Sequence, residues 1–116
     1  MILGKFLGLA EYGTAVPGHP IISTGLDHIL ELGITHIQLL PIQHFDREKG
    51  AYNWGYMPLQ YFSPEGWYAS SEKGDARVRE LKQLVHTLHQ KGIGVVMDVV
   101  YNHFDKVFPF AMSCPH

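Results

Sequence analysis

Cysteine is all but missing from this 116-residue chain: Cys114 stands alone, so neither a disulfide framework nor a thiolate zinc site can form within one chain. An excess of one charge is missing too. Nine Lys and Arg stand against eleven Asp and Glu for a formal net charge of −2, with no basic stripe to follow a phosphate backbone, so nucleic acid is not an expected partner. Met1 to Glu11 has the outline of a signal peptide, but Gly4, Lys5, Gly8 and Glu11 interrupt its apolar core. No longer apolar run exists, so neither a signal peptide nor a membrane partner is expected in this chain, and the compartment stays open. Gly92-Ile93-Gly94 lacks the third glycine and the helix-after context of a dinucleotide loop, and there is no Walker-type lysine or G-x-S-x-G elbow. His86 and His89, three apart on a helix, find no third ligand at recognisable spacing, and no metal site is expected.

The length suits one modest domain and is too short for two. Two helix-then-strand units can be read. Thr24-Gly25-Leu26-Asp27 has capping-box spacing with Asp in place of Glu, and Leu26, Ile29 and Leu30 form an i, i+3, i+4 stripe ending at Gly33. This predicts a helix over 25–32, a left-handed stop at Gly33 with Ile34 against Ile29, and a strand over 35–40 closed by Pro41. The second unit has Gly74 or Asp75 as cap, a stripe of Val78, Leu81, Val85 and Leu88, a stop at Gly92-Ile93, and a strand over 94–100. Val95, Val96, Val99 and Val100 make that strand nearly continuous in β-branched residues, as in a strand covered on both faces. Two strands joined through a helix should be parallel with a right-handed crossover, which predicts an α/β fold.

Between these units lies a connection over 41–74, far longer than the roughly 2–6 residues usual for a βα loop. It is rich in aromatics (Phe45, Tyr52, Trp54, Tyr56, Tyr61, Phe62, Trp67, Tyr68), and Gly50, Gly55, Pro58, Pro64 and Gly66 predict a folded excursion. It leaves the C-terminal end of its strand, the end where parallel α/β folds place their chemistry.

Two constellations share that rim. Asp98, Asn102 and His103 stand where the second strand runs out; strict alternation puts Asp98, Val100 and Asn102 on one face, and His103 turns free only beyond it. A buried Asp paired with an Arg and a loop-capping His is the alternative, since structural ion pairs also occur in such places. In Tyr52-Asn53-Trp54-Gly55-Tyr56, flat aromatics beside fixed polar groups suit the apolar C–H faces and peripheral hydroxyls of a sugar ring. Packing of Trp54 and Tyr56 into the loop's own small core is the alternative there.

Together, Tyr52-Asn53-Trp54-Gly55-Tyr56, Tyr61-Phe62-Ser63-Pro64-Glu65-Gly66, Arg79-Glu80-Leu81-Lys82 and Met97-Asp98-Val99-Val100-Tyr101-Asn102-His103 resemble the α-amylase superfamily, glycoside hydrolase family 13. The likeness runs in order from about Gly4 to His103, through Thr24-Gly25-Leu26-Asp27-His28 and Gln38-Leu39-Leu40-Pro41, and is nearest to type I pullulanases. Met57 departs from the Asp usual after Trp-Gly-Tyr in pullulanases, and isoamylase-like debranching enzymes can carry Met there.

The resemblance implies an incomplete catalytic segment over 1–116. It is a partial (β/α)8 TIM barrel with helix 1, strand 2, its long loop, helix 2 and strand 3, and with 104–116 as a tail of unclear relation. It implies substrate-binding roles: Tyr56 stacked on the sugar at the cleavage point with Trp54 beside it, His103 on a hydroxyl of that sugar, and Asp98 ordering the floor. Asn102 matches a calcium ligand of many α-amylases; no cofactor is expected, and calcium stays open for a longer parent enzyme. The implied partner is an α-glucan oligosaccharide or polysaccharide, and the implied activity hydrolysis of α-1,6 branch linkages. Other α-amylase-family fragments, a non-catalytic α-glucan-binding module and a non-functional truncated product are the alternatives. Retaining hydrolysis needs two carboxyl groups about 5–5.5 Å apart, carried in this family by barrel strands four and five, with a third Asp after strand seven. No residue here is therefore assigned a catalytic role, inactivity of the isolated chain is expected, and open apolar edges predict self-association.

Overall fold

The structure, a computed structural model, describes residues 4–47 and 53–105. A short helix α1 (Phe6–Leu9) is followed by a two-stranded antiparallel hairpin, β1 (Ala15–Val16) with β2 (His19–Ser23), and by helix α2 (Gly25–Glu31). Strand β3 (His36–Leu39) leads into an arm made of β4 (Gln43–Phe45), β5 (Pro58–Pro64) and a single 3-10 turn (Gly66–Tyr68). Helix α3 (Ala76–Gln90) and strand β6 (Gly94–Met97) close the described chain. β3 and β6 pair in parallel, from His36 opposite Gly94 to Leu39 opposite Met97, as the helix-strand grammar requires. The three two-stranded sheets of the described residues form a partial α/β assembly without a closed barrel.

Local chemistry explains where the helices stop. After α3, the Gly92 N–H donates to the His89 carbonyl and the Ile93 N–H to that of Leu88, both at 3.0 Å. This is the Schellman arrangement, which needs the left-handed φ of +73° at Gly92. It delivers Ile93, 2% exposed, into the core beside Leu84 and Leu88. Leu26 of α2, Phe6 of α1 and Ile42 join the same cluster, which joins both helix-strand units. Each such side chain contributes about 1.5–3 kcal/mol by leaving water.

Three expectations are corrected. The predicted capping box is not made: the Thr24 hydroxyl donates to Thr14 Oγ1 at 2.9 Å, and Asp27 accepts the Gly13 N–H, so both bind α2 to the hairpin segment. The buried face of α3 is Ala76, Glu80, Leu84 and Leu88, whereas Val78 is exposed. The i+4 row beginning at Ala76 wins because Glu80 is satisfied in place, its carboxylate accepting the Ser70 N–H at 2.9 Å and the Ser70 hydroxyl. Strand β6 ends at Met97, short of the predicted Val100, and is not covered on both faces: Val96 is 44% and Met97 46% exposed. Among the described residues it pairs only with β3.

Candidate sugar-binding site

The arm leaves β3 at Pro41 and returns through β5, held as a β4–β5 ladder with Phe45 opposite Pro58. Near its tip, Asn53 Oδ1 accepts the Gly55 N–H and Asn53 Nδ2 donates to the Asp46 carbonyl, both at 2.8 Å. This Asx turn sets up a left-handed residue. Gly55 takes φ +86°, and a Cβ there would stand 2.7 Å from the Pro41 carbonyl oxygen and 3.2 Å from the Phe45 ring. Only glycine fits a chain folded so closely onto Pro41 and Phe45. The turn places Tyr56 opposite the end of β6.

There the Tyr56 hydroxyl donates to Asp98 Oδ2 at 2.9 Å. Asp98 is the first residue beyond β6, and its own N–H extends the ladder to the Leu39 carbonyl at 3.1 Å, so the carboxylate is fixed at the sheet's exit. The hydrogen bond to Asp98 pushes the Tyr56 phenol above its ordinary value; desolvation and the nearby negative charge act in the same direction. His103 Nε2 lies 2.8 Å from the Tyr56 carbonyl oxygen, and its Nδ1 3.2 Å from Asn102 Nδ2. A carbonyl can only accept, so Nε2 carries the proton and Nδ1 receives the Asn102 amide, an assignment made from the partners.

Tyr56, Asp98, Asn102 and His103 are thus joined by direct hydrogen bonds, as one site on one rim. Trp54, 57% exposed, precedes Gly55 in the same turn. Tyr52 lies outside the described residues, as does the tail beyond Asp105. His103 has both ring nitrogens engaged by the protein, which makes it a brace on the Tyr56 backbone. The Asn102 amide nitrogen faces His103 Nδ1, and among the described residues no group of three or more His, Cys, Asp or Glu could hold a metal ion.

Two contributors escape the sequence reading. The Tyr61 hydroxyl donates to the His103 carbonyl at 3.2 Å, and its ring meets Tyr101 edge-on at 5.4 Å. Tyr61 lies on the strand returning from the tip, a position its place in an aromatic run cannot reveal. Glu65, 2% exposed, is a carboxylate between Pro64 and Gly66, an isolated acid in apolar company and the one available signal of a buried role.

The rim can present the partly exposed ring of Tyr56 with fixed polar groups at its edge, the combination that suits a sugar's apolar face and hydroxyls. Pullulanase from Bacillus subtilis (strain 168) is 49% identical across 97% of this chain and 16% of its own length. The solved structure of pullulanase type I from Bacillus subtilis str. 168, complexed with maltose, superposes with a TM-score of 0.85 at 44% identity, over 96% of this chain and 16% of that one. Pullulanase from Anoxybacillus sp. LM18-11, complexed with maltotriose, gives 0.78 at 43%, over 86% and 15%. This chain therefore spans about one sixth of the curated pullulanase it matches. The α-amylase catalytic-domain family matches residues 20–114, a stretch that contains the whole arm and both strands bearing the rim, and the chain belongs to that family.

Proposed function

We propose that this chain supplies part of the sugar-binding floor of a pullulanase-like glycoside hydrolase that cuts α-1,6 branch linkages in α-glucans. The observation that carries this is the hydrogen-bonded set of Tyr56, Asp98 and His103, built within the chain from two segments more than forty residues apart in sequence. Support comes from pullulanase relatives whose structures are complexed with maltose and maltotriose. On this reading the Tyr56 ring stacks on a glucose unit while Asp98 holds its hydroxyl. His103 fixes the backbone from which the ring projects through Nε2, its Nδ1 accepts a sugar hydroxyl in place of the Asn102 amide, and Trp54 and Asn102 flank the ring.

Cleavage requires two carboxyl groups facing each other across the glycosidic bond, and several acids of the described residues are already engaged. Glu65 is buried, Glu80 is held by Ser70, Asp75 pairs with Arg79, Glu72 with Arg47, and Asp98 with Tyr56. On this reading the chain by itself binds without cutting. Calorimetry with maltotriose and a reducing-sugar assay on pullulan test both halves: binding lost in Tyr56→Ala with no hydrolysis supports the proposal, and turnover of pullulan by the isolated chain contradicts it.

A further inference from the structure

The most heavily bonded buried side chain among the described residues lies outside the rim. Glu65 Oε2 accepts the Phe45 N–H at 3.2 Å and faces His44 Nδ1 at 2.9 Å, while Oε1 accepts the Trp67 N–H at 2.8 Å and stands 3.6 Å from Arg47 Nε. The Glu65 N–H in turn donates to the Ile42 carbonyl at 2.7 Å. One residue thus fastens both roots of the arm, 42–47 on one side and 65–67 on the other. Such a buried acceptor is stable only when its lone pairs are filled, which makes the arrangement all-or-none.

The chain of contact continues towards the rim. Phe45, 1% exposed, is held at its N–H by Glu65, and its ring is the surface on which the Gly55 backbone rests. Tyr56 is the next residue, and with that turn packed on Pro41 and Phe45 its hydroxyl reaches Asp98.

We propose that Glu65 is a positioning residue, which through Phe45 and Gly55 fixes Tyr56 in register with Asp98 at the strand exit. The use of this placement in glucan binding rests on the function proposed above; the placement itself does not. Glu80 offers the contrast: also buried, at 5% exposure, it fastens Ser70 to α3, and both of its carboxylate oxygens accept from Ser70.

The test follows the Tyr56 phenol, whose hydroxyl is bonded to Asp98 while His103 holds the Tyr56 carbonyl, by NMR of tyrosine Cζ through alkaline pH, with Tyr56→Phe to assign the resonance. In the unaltered chain its midpoint should lie above the ordinary phenol value. In Glu65→Gln it should fall towards the ordinary value as Tyr56 leaves Asp98, and in Glu80→Gln it should stay in place although the melting temperature drops. A folded Glu65→Gln with an unmoved midpoint, or an equal fall in Glu80→Gln, overturns the proposal. Should Glu65→Gln lose its cooperative transition, the double variant His44→Ala with Arg47→Ala decides. It loosens the solvent side of the same ties and keeps both buried N–H bonds, so a smaller fall is expected and no fall contradicts the proposal. The readout needs no sugar, so a failure of maltotriose to bind would overturn the function and leave this placement standing.

Discussion

The α3–β6 unit and the arm over 42–68 are held together by different physics. In the first, Leu84 and Leu88 are buried at helical spacing, and a Schellman stop delivers Ile93 beside them and sets the direction of the strand. Their contribution is spread over many weak contacts and tolerates adjustment. In the second, a single carboxylate, an Asx turn and one positive φ define the path of the chain. The helix-strand unit supplies bulk stability and a fixed strand end, while the arm supplies a geometry that a few groups decide. A change in the first should therefore appear in the melting temperature, and a change in the second in the behaviour of Tyr56.

The sharpest separation should come from Leu84→Ala. Truncating a fully buried leucine should cost about 2–5 kcal/mol, measured by denaturant unfolding, with the Tyr56 phenol midpoint unchanged while the chain stays folded. An equal response of Tyr56 would break the comparison. Gly55→Ala is the counterpart in the arm. It places a Cβ against the Pro41 carbonyl in a left-handed conformation and should cost about 1–3 kcal/mol. It should also weaken maltotriose binding more than Leu84→Ala does, a ratio that calorimetry measures directly.

Smaller effects follow from titration. The Tyr56 phenol is raised by its bond to Asp98, so its contribution is complete below the ordinary value of about 10 and is lost as pH climbs through the folded value. Tyr56→Phe should abolish that alkaline increment in stability-against-pH curves. Least of all should be Arg79→Ala. The Arg79 hydrogen bond lowers the exposed Asp75 carboxyl, so its contribution is present above about 3.9 and lost as pH falls through the folded value. Only the acid limb of the curve should shift, and slightly, because the pair is solvated.

How much of this was legible in the sequence follows the same division. The parallel β3–β6 pair, the stops at Gly33 and Gly92 and the gathering of Tyr56, Asp98 and His103 on one rim were readable, because period, glycine stops and a family resemblance are written locally. The burial of Glu80 was not, since a helical stripe drawn from apolar residues alone skips an acid whose partner is ten residues away. The early end of β6 was not either, since a valine-rich run tells what a strand can bury and not how many neighbours it has. The Thr14–Thr24 pair replaced a capping box of correct spacing, and the Thr24 hydroxyl is spent on a partner ten residues away that local spacing does not reveal. Glu65 and Tyr61 depend on partners 20 and 42 residues distant, and no local pattern announces such bonds.

On the proposed function, the arm and the strand exit form one sugar-binding rim within this chain. Titration of the isotope-labelled chain with maltotriose, followed by NMR, tests it most directly. Saturable shifts at Tyr56, Asp98 and His103 that disappear in Tyr56→Ala are expected. Absence of any shift, or shifts confined to α3 and the hairpin, would contradict it.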